Sequence, residues 1–344
     1  MAVTYRDAGV DIEKGERVAR AAARWARRTQ RPEVISGVGG FGALFRLPRG
    51  YRRPLLVAAT DGVGTKLAIA NMVGRHDTVG IDLVAMNVND ILTLGAEPLA
   101  FLDYFVTERL EPAIAEQVLR GIARGCRLAG CALVGGETAE HPGCMRTGEY
   151  DLAGFVVGVV EEGKVVDGRR IRAGDVLVGI ESSGLHSNGF SLVRHVLFER
   201  ARLDVQAHLP ELQRSLAEEL LEPTRIYVPV IRSLPVPDIH GMAHITGGGL
   251  VENVPRSFPR ALGARIVRGS WPVPPIFELV QRLGPVPEEE MLRTFNMGIG
   301  FVLVVSAANA NHIVAALRRR RVRSWVIGEV IRRRPGVPRV AFVH

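Results

Sequence analysis

The sequence predicts an α/β (α+β) fold in two domains, and three observations carry that expectation. The chain has 344 residues, which at ~150 residues per domain gives two bodies, each able to bury its own core. Short apolar runs of strand length alternate with amphipathic helical stretches in both halves, the pattern of packed helices and sheet. Between the halves, Asp167 to Gly174 reads as a turn-rich connection. It sets the expected boundary between a domain of residues 1–166 and one of residues 167–344.

In chain order, residues 12–30 are rich in Ala and Arg, with Val18, Ala22 and Trp25 on a helical period, and Pro32 ends that helix. Pro54 to Thr60 is a short continuous apolar run, expected as a buried strand. Helical patterning returns at Leu67 to Met72, Ile81 to Leu94 and Pro112 to Ala129, and strands are expected at Cys131 to Gly136 and Leu152 to Val160. The second half repeats the theme. Strands are expected at Val176 to Ile180, Ala243 to Thr246, Ala264 to Val267, Gly298 to Val305 and Trp325 to Val330, with helices at Phe190 to Arg200, within Ser215 to Leu221, and at Ala308 to Arg320.

Composition removes several function classes. Lys and Arg number 44 against 36 Asp and Glu, a net charge of +8, which permits polyanion binding. Only three of the basic residues are lysines, so 41 are arginines. Aromatic residues are 6% of the chain and do not interleave with the basic clusters, so the stacking platforms of a single-strand binder are missing and no nucleic-acid partner is expected. No apolar run reaches the ~18 to 20 residues needed to span a bilayer, and Met1 to Arg20 is too charged for a signal peptide. The cysteines Cys126, Cys131 and Cys144 lack metal-ligand spacing, which points to a reduced, cytoplasmic setting.

Gly37 to Gly42 formally satisfies GxGxxG. A helix precedes it, and Pro48 and Gly50 follow, so the strand–turn–helix context of a dinucleotide fold is absent. What remains is a loop, read either as a mobile backbone able to approach a ligand through Gly39, Gly40, Phe41 and Gly42 or as an irregular surface turn. Thr60 to Lys66 (TDGVGTK) is more informative. It places Asp61 at a strand end, frees backbone N–H groups at Gly62 and Gly64, and puts Thr65 and Lys66 at a helix start. Such N–H groups hold phosphate, and a nearby carboxylate can hold Mg²⁺. The bland alternative is a turn capped by Asp61.

Asn87, Asn89 and Asp90 interrupt an otherwise apolar helix, where buried polar groups require partners. Glu137 follows the strand Cys131 to Val134. With Asp61 and Asp90 it suggests an all-oxygen site for a hard divalent ion. In the second half, Ser187, Asn188 and His186 lie in a Gly/Ser loop, and Thr246, Gly247, Gly248 and Gly249 form a turn before a helix, a pattern suited to anions. His186 reads equally as a structural hydrogen-bonder or as an acid/base group.

The strings TYRDAGVDI, GGFGAL, TDGVGTK, GIDLVAMNVNDILTLGAEPL, LVGGETAE, SSGLHSNGFSLVR, AHITGGG and TFNMGIG run in this order from Thr4 to Gly300. Together they resemble the phosphoribosylformylglycinamidine cyclo-ligase (aminoimidazole ribonucleotide synthetase) family of purine synthesis. The resemblance implies a homodimer whose N-terminal domains pair their strands into a β-barrel, flanked by C-terminal α/β domains. It implies ATP and Mg²⁺ as cofactors, with a monovalent cation such as K⁺ compatible, and formylglycinamidine ribonucleotide as substrate. Ring closure would pass through an iminophosphate, releasing ADP and phosphate. On this reading Asp61, Asp90 and Glu137 serve the metal and triphosphate, with Gly62, Gly64 and Thr65 beside them. Lys66 meets phosphate charge, Gly39 to Gly42 form a lid, Ser187, Asn188 and Thr246 to Gly249 hold the ribose phosphate, and His186 moves a proton.

Overall fold

The computed structural model describes residues 3–234, 239–334 and 336–344. The chain forms two compact units, one running through Ile91 and again over Ala96–Glu161, the other comprising Leu92–Gly95 and Glu162–His344.

The first unit is built on a four-stranded sheet of β1 (Pro54–Gly62), β2 (Glu97–Thr107), β3 (Ala132–Glu140) and β4 (Tyr150–Glu161), in the order β1-β4-β2-β3. β4 is antiparallel to both neighbours, whereas β2 and β3 run parallel. A parallel pair needs a crossover, and α4 (Pro112–Ala129) supplies it. Three further helices belong to this unit: α1 (Ile12–Ala26), α2 (Lys66–Val73) and α3 (Val79–Leu92). α1 starts where the Asp11 carboxylate accepts hydrogen bonds from the N–H groups of Glu13 and Lys14, and it packs on α4.

Two expectations change here. β2 lies in the middle of the sheet, where the sequence predicts no strand; Pro98 inside a strand argues against one, and the structure accommodates it at a register shift between Pro98 and Ala100. β1 was expected to be buried, but it is the sheet edge and one face is uncovered. Leu56 is 62% exposed and Phe155, on the same face of neighbouring β4, is 44% exposed.

α3 has no wet face over most of its length: Asp82, Asn87 and Asn89 are as buried as Leu83, Val84 and Val88. It approaches α4 so closely that a Cβ at Gly80 would strike the main chain at Val118, and one at Gly121 would strike the carbonyl of Asp77.

The second unit is a six-stranded sheet of β5 (Val176–Glu181), β6 (Ile239–His244), β7 (Leu262–Val267), β8 (Ile299–Val305), β9 (Ser324–Arg332) and β10 (Val340–Val343), in the order β6-β8-β5-β9-β7-β10. Every pairing is antiparallel except β7 with β10. All seven residues of β8 are buried, which explains its uninterrupted apolar sequence. Leu177, Ile266, Ile299, Val302 and Ile327 centre the core. Short helices follow the strands: α5 (Phe190–Arg194), α6 (Leu216–Leu220), α7 (Val228–Arg232), α8 (Gly249–Asn253), α9 (Pro275–Leu283), α10 (Glu288–Thr294) and α11 (Ala307–Arg319). The expected helix at Phe190 to Arg200 divides into α5 and a wider π turn over His195–Arg200.

The tight helix crossing is testable. Gly121→Ala is expected to destabilise the protein by about 1–3 kcal/mol through overpacking, read as a lowered Tm. Gly163→Ala, at a glycine with open space around it, should leave the melt unchanged.

Candidate functional site

The first cluster grows from the end of β1. Asp61 is its penultimate residue, and its Oδ1 accepts the N–H of Gly62 at 2.8 Å. Val63 then turns into the interior, Gly64 takes a left-handed φ of 70°, and Lys66 opens α2. The backbone amides at this turn, with the α2 dipole behind them, suit an anion. Asp61 does not cap α2, because its carboxylate is engaged at its own strand end. The Asn87 side chain donates from Nδ2 to the Asp61 carbonyl at 3.1 Å and to the Leu83 carbonyl at 2.8 Å. Asn87 Oδ1 is buried with no hydrogen-bond partner among the described residues. Asp90 follows one turn later on α3 and is half-buried.

Lys66, expected to meet phosphate charge, is paired within the fold. Its side chain is 0% exposed, and Nζ lies 3.0 Å and 2.9 Å from the two carboxylate oxygens of Asp82, also 0% exposed. An ammonium at a helix N-terminus opposes the dipole, and Asp82 in the first turn of α3 neutralises it.

Asp61, Asp90 and Glu137 do not stand together as one three-carboxylate group within this chain. Among the described residues no group of three or more His, Cys, Asp or Glu converges to hold a metal ion. The register gives the reason. Asp61 stands opposite Gly154, Gly154 opposite Asp103, and Asp103 opposite Gly136, so Glu137 occupies the next row. Three strand spacings of ~4.8 Å put Asp61 and Glu137 about 14 Å apart along the backbone, far beyond a shared coordination shell.

A cavity of about 290 Å³ opens in the same unit between α1, α4 and β3, lined by Gly15, Ala19, Ala22, Asp103, Gly136 and Glu137 among others. Asp103 is 6% exposed, and burial pushes its carboxyl up to about 7. Sequence reading missed it, because it lies in the unpredicted β2 and in no motif. The nearby Glu140 serves structure: its carboxylate accepts the N–H of Asp11 at 2.9 Å and of Leu110 at 2.7 Å. The loop of Gly39 to Gly42 stands free, with open space around Gly39 and Gly42 and with Phe41 fully in solvent.

In the second unit, the loop after β5 is pinned from within. The Ser182 hydroxyl donates to Gly184 O and Asn296 Oδ1, Asn296 Nδ2 donates to Gly184 O, and the Ser183 hydroxyl donates to Pro223 O. His186 is buried with a left-handed φ of 62°, and its Nε2 accepts the Ser183 N–H at 3.1 Å. That contact fixes the tautomer, with the proton on Nδ1, and makes the ring a brace for the loop. Ser187 and Thr224 share a hydroxyl contact at 3.1 Å. Asn188 Oδ1 accepts the Gly247 N–H at 3.0 Å, tying this loop to the glycine turn, while Asn188 Nδ2 is buried with no partner among the described residues. Asn253 Nδ2 donates to the carbonyls of Thr246, Gly247 and Gly249. The glycines also have a packing reason: Gly248 has a φ of 95°, and a Cβ on Gly249 would strike main-chain carbonyls of Leu292 and Phe295.

Comparison with known proteins agrees with this architecture. Residues 42–160 match the N-terminal domain model, and residues 172–340 the C-terminal domain model, of AIR synthase related proteins. Phosphoribosylformylglycinamidine cyclo-ligase of Anaeromyxobacter dehalogenans is 55% identical over 338 residues, covering 98% of both chains. That of Syntrophotalea carbinolica is 54% identical over 345 residues, covering 99% of this chain and 98% of its own. The chain belongs to the phosphoribosylformylglycinamidine cyclo-ligase family. The fold is shared more widely. Thiamine-monophosphate kinase from Stenotrophomonas maltophilia superposes with a TM-score of 0.70 at 19% identity, covering 93% of this chain and 94% of that one. A hydrogenase maturation protein HypE in complex with ATP gives a TM-score of 0.64 at 21% identity, covering 92% and 88%.

The Lys66–Asp82 pair gives a direct test of its structural weight in this family member. Lys66→Met, which strands a buried carboxylate, is expected to cost about 3–5 kcal/mol of stability. The double variant Lys66→Met/Asp82→Leu should recover most of that loss in a denaturant titration.

Proposed function

We propose that the protein closes formylglycinamidine ribonucleotide to 5-aminoimidazole ribonucleotide, using ATP and releasing ADP and phosphate. The observation that supports it best is the placement of Asp61 and the Gly64 turn at one strand-to-helix junction, within a chain at least half identical to cyclo-ligases over nearly its whole length. A formamide oxygen is a poor leaving group. Transfer of the γ-phosphoryl to it gives an iminophosphate, the neighbouring amidine nitrogen attacks the same carbon, and phosphate departs with the oxygen.

The protein's part is positioning and charge. The first unit is assigned the nucleotide. The amides after β1 are assigned the phosphate oxygens, and Asp61 and Asp90 are assigned as the carboxylates nearest them. The donor set suits Mg²⁺, which prefers hard oxygens and is held by one or two carboxylates together with substrate phosphates, without a protein cage. Asn87 Oδ1, buried and unpartnered beside Asp61, adds an oxygen of the same character. When bound, the ion neutralises phosphate charge. Glu137 is assigned a separate contact at the cavity rim. Lys66 acts through Asp82 to place the loop. Gly39 to Gly42, carrying the exposed Phe41, is assigned the lid.

The second unit is assigned the ribose phosphate, through Ser187, Asn188 and Thr246 to Gly249. The buried Asn188 Nδ2 donor supports this, because a buried amide left without an acceptor is costly unless a ligand supplies one. His186 is assigned the bracing of that loop in preference to proton transfer. A monovalent cation such as K⁺ stays compatible with the reading, and a reduced cytoplasm with the three free thiols.

The uncovered sheet face of β1 and β4 supports a homodimer that pairs these faces into a barrel. No described helix is long and apolar enough to cross a membrane.

Purified protein is expected to release ADP from ATP only when formylglycinamidine ribonucleotide is present. Asp61→Asn and Asp90→Asn should each lower kcat by about 100-fold or more, the scale of losing one electrostatic stabiliser, with Tm nearly unchanged. ATP consumption independent of that substrate, or tight salt-sensitive retention of nucleic acid in its place, counts against the assignment. Sedimentation should show a dimer for the native chain and monomers for Leu56→Glu.

A further inference from the structure

The cavity between α1, α4 and β3 holds one carboxyl group that the reaction scheme leaves unused. Gly15, Ala19 and Ala22 lie at i, i+4 and i+7 on α1 and present no side chain larger than a methyl. Leu119 of α4 and Leu133 of β3 form apolar wall elsewhere. At about 290 Å³ the space is at the lower limit of small-molecule pockets, ~300–1,000 Å³, so it accepts a ring but not a whole nucleotide. Asp103 lines it, 6% exposed, and no other described residue donates a hydrogen bond to its carboxyl. The residue opposite, Gly136, keeps the carboxyl reachable: a Cβ there would collide with Asp103 Oδ1.

We propose that Asp103 reads the base of the nucleotide, accepting a hydrogen from the exocyclic amino group of adenine. This rests on the assignment of the nucleotide to the first unit. A slot with small residues on one wall and leucines on another suits a flat aromatic ring, and a lone buried carboxyl oxygen selects a ring that offers an amine at that edge. Because burial holds the carboxyl near 7, it also carries a proton part of the time, giving one acceptor and one donor side by side. The amino group and adjacent ring nitrogen of adenine present the complement. Two other groups share the environment: the Cys126 thiol, which lies against Cys131 and feels the Asp103 charge, and Glu137 at the cavity rim.

Isothermal titration of the full chain in Mg²⁺, with ATP and with purine riboside triphosphate (which lacks the amino group), tests this. The native protein should bind ATP about tenfold more tightly than the analogue, the worth of one well-made hydrogen bond to a buried group. Asp103→Leu should weaken ATP about tenfold and abolish the preference. Asp103→Asn, which keeps a donor and an acceptor, should retain most of it. Ala19→Phe, at an exposed position of α1, should obstruct the slot and weaken both ligands while Tm holds. Equal affinity of the native chain for the two nucleotides, or an undiminished preference in Asp103→Leu, overturns the role of Asp103. Failure of the native chain to bind ATP at all instead removes the nucleotide assignment beneath it.

Discussion

A helix without a wet face is the constraint on which the first unit depends. α3 carries Asp82, Asn87 and Asn89 into an environment where each polar atom must find a partner or cost several kcal/mol. The solution is local and specific. Asp82 takes the ammonium of Lys66, and the amide of Asn87 takes the carbonyl of Asp61. Both partners flank the short turn between β1 and α2. The burial cost of polar groups on one helix therefore fixes the turn that leads from β1 into α2. A solvated lysine would have left the turn free to move. A buried one makes its position part of the core, which is what preorganised electrostatic binding requires.

The same reasoning separates what the sequence disclosed from what it withheld. Strongly periodic elements were legible: the spans of α3, α4 and β8 follow from uninterrupted apolar runs or from 3.6-residue patterning. Motif-bearing turns were legible too, because glycine clusters at strand ends have few other uses. The partner of Lys66 was not, because Asp82 is sixteen residues away and no local pattern links a helix start to the next helix's first turn. Asp103 was hidden for a different reason. It sits in β2, where Pro98 suggested a break that a bulge absorbs, and a lone aspartate between Leu102 and Tyr104 announces nothing. The register separates Asp61 from Glu137: Asp61 stands near the end of β1, Glu137 lies within β3, and two other strands intervene.

Glycine does two kinds of work that sequence alone could not distinguish. At Gly80, Gly121 and Gly249 the missing Cβ permits backbone contact between neighbouring elements. At Gly64 and Gly248 the left-handed backbone is itself the need. The turn at Thr246 to Gly249 combines both, and it is further held by Asn188 and Asn253. Its rigidity therefore comes from side-chain amides bonded to main chain, while two buried amide groups, Asn188 Nδ2 and Asn253 Oδ1, have no partner among the described residues. On the proposed assignment an oxygen of the ribose phosphate would meet the Asn188 donor.

His186 shows how the same physics redirects a functional reading. A proton carrier needs a ring nitrogen that can exchange with substrate or water. Here Nε2 accepts a backbone N–H, and the ring packs under Gly300 against Tyr227. The left-handed φ at His186, unfavourable for a residue with a Cβ, is tolerated because the ring, the serine hydroxyls and Asn296 together leave no alternative path. The nucleophile of the proposed cyclisation lies in the same molecule as its electrophile. Accurate placement of the substrate thus contributes more than a dedicated base, and a histidine used as a brace serves that chemistry directly.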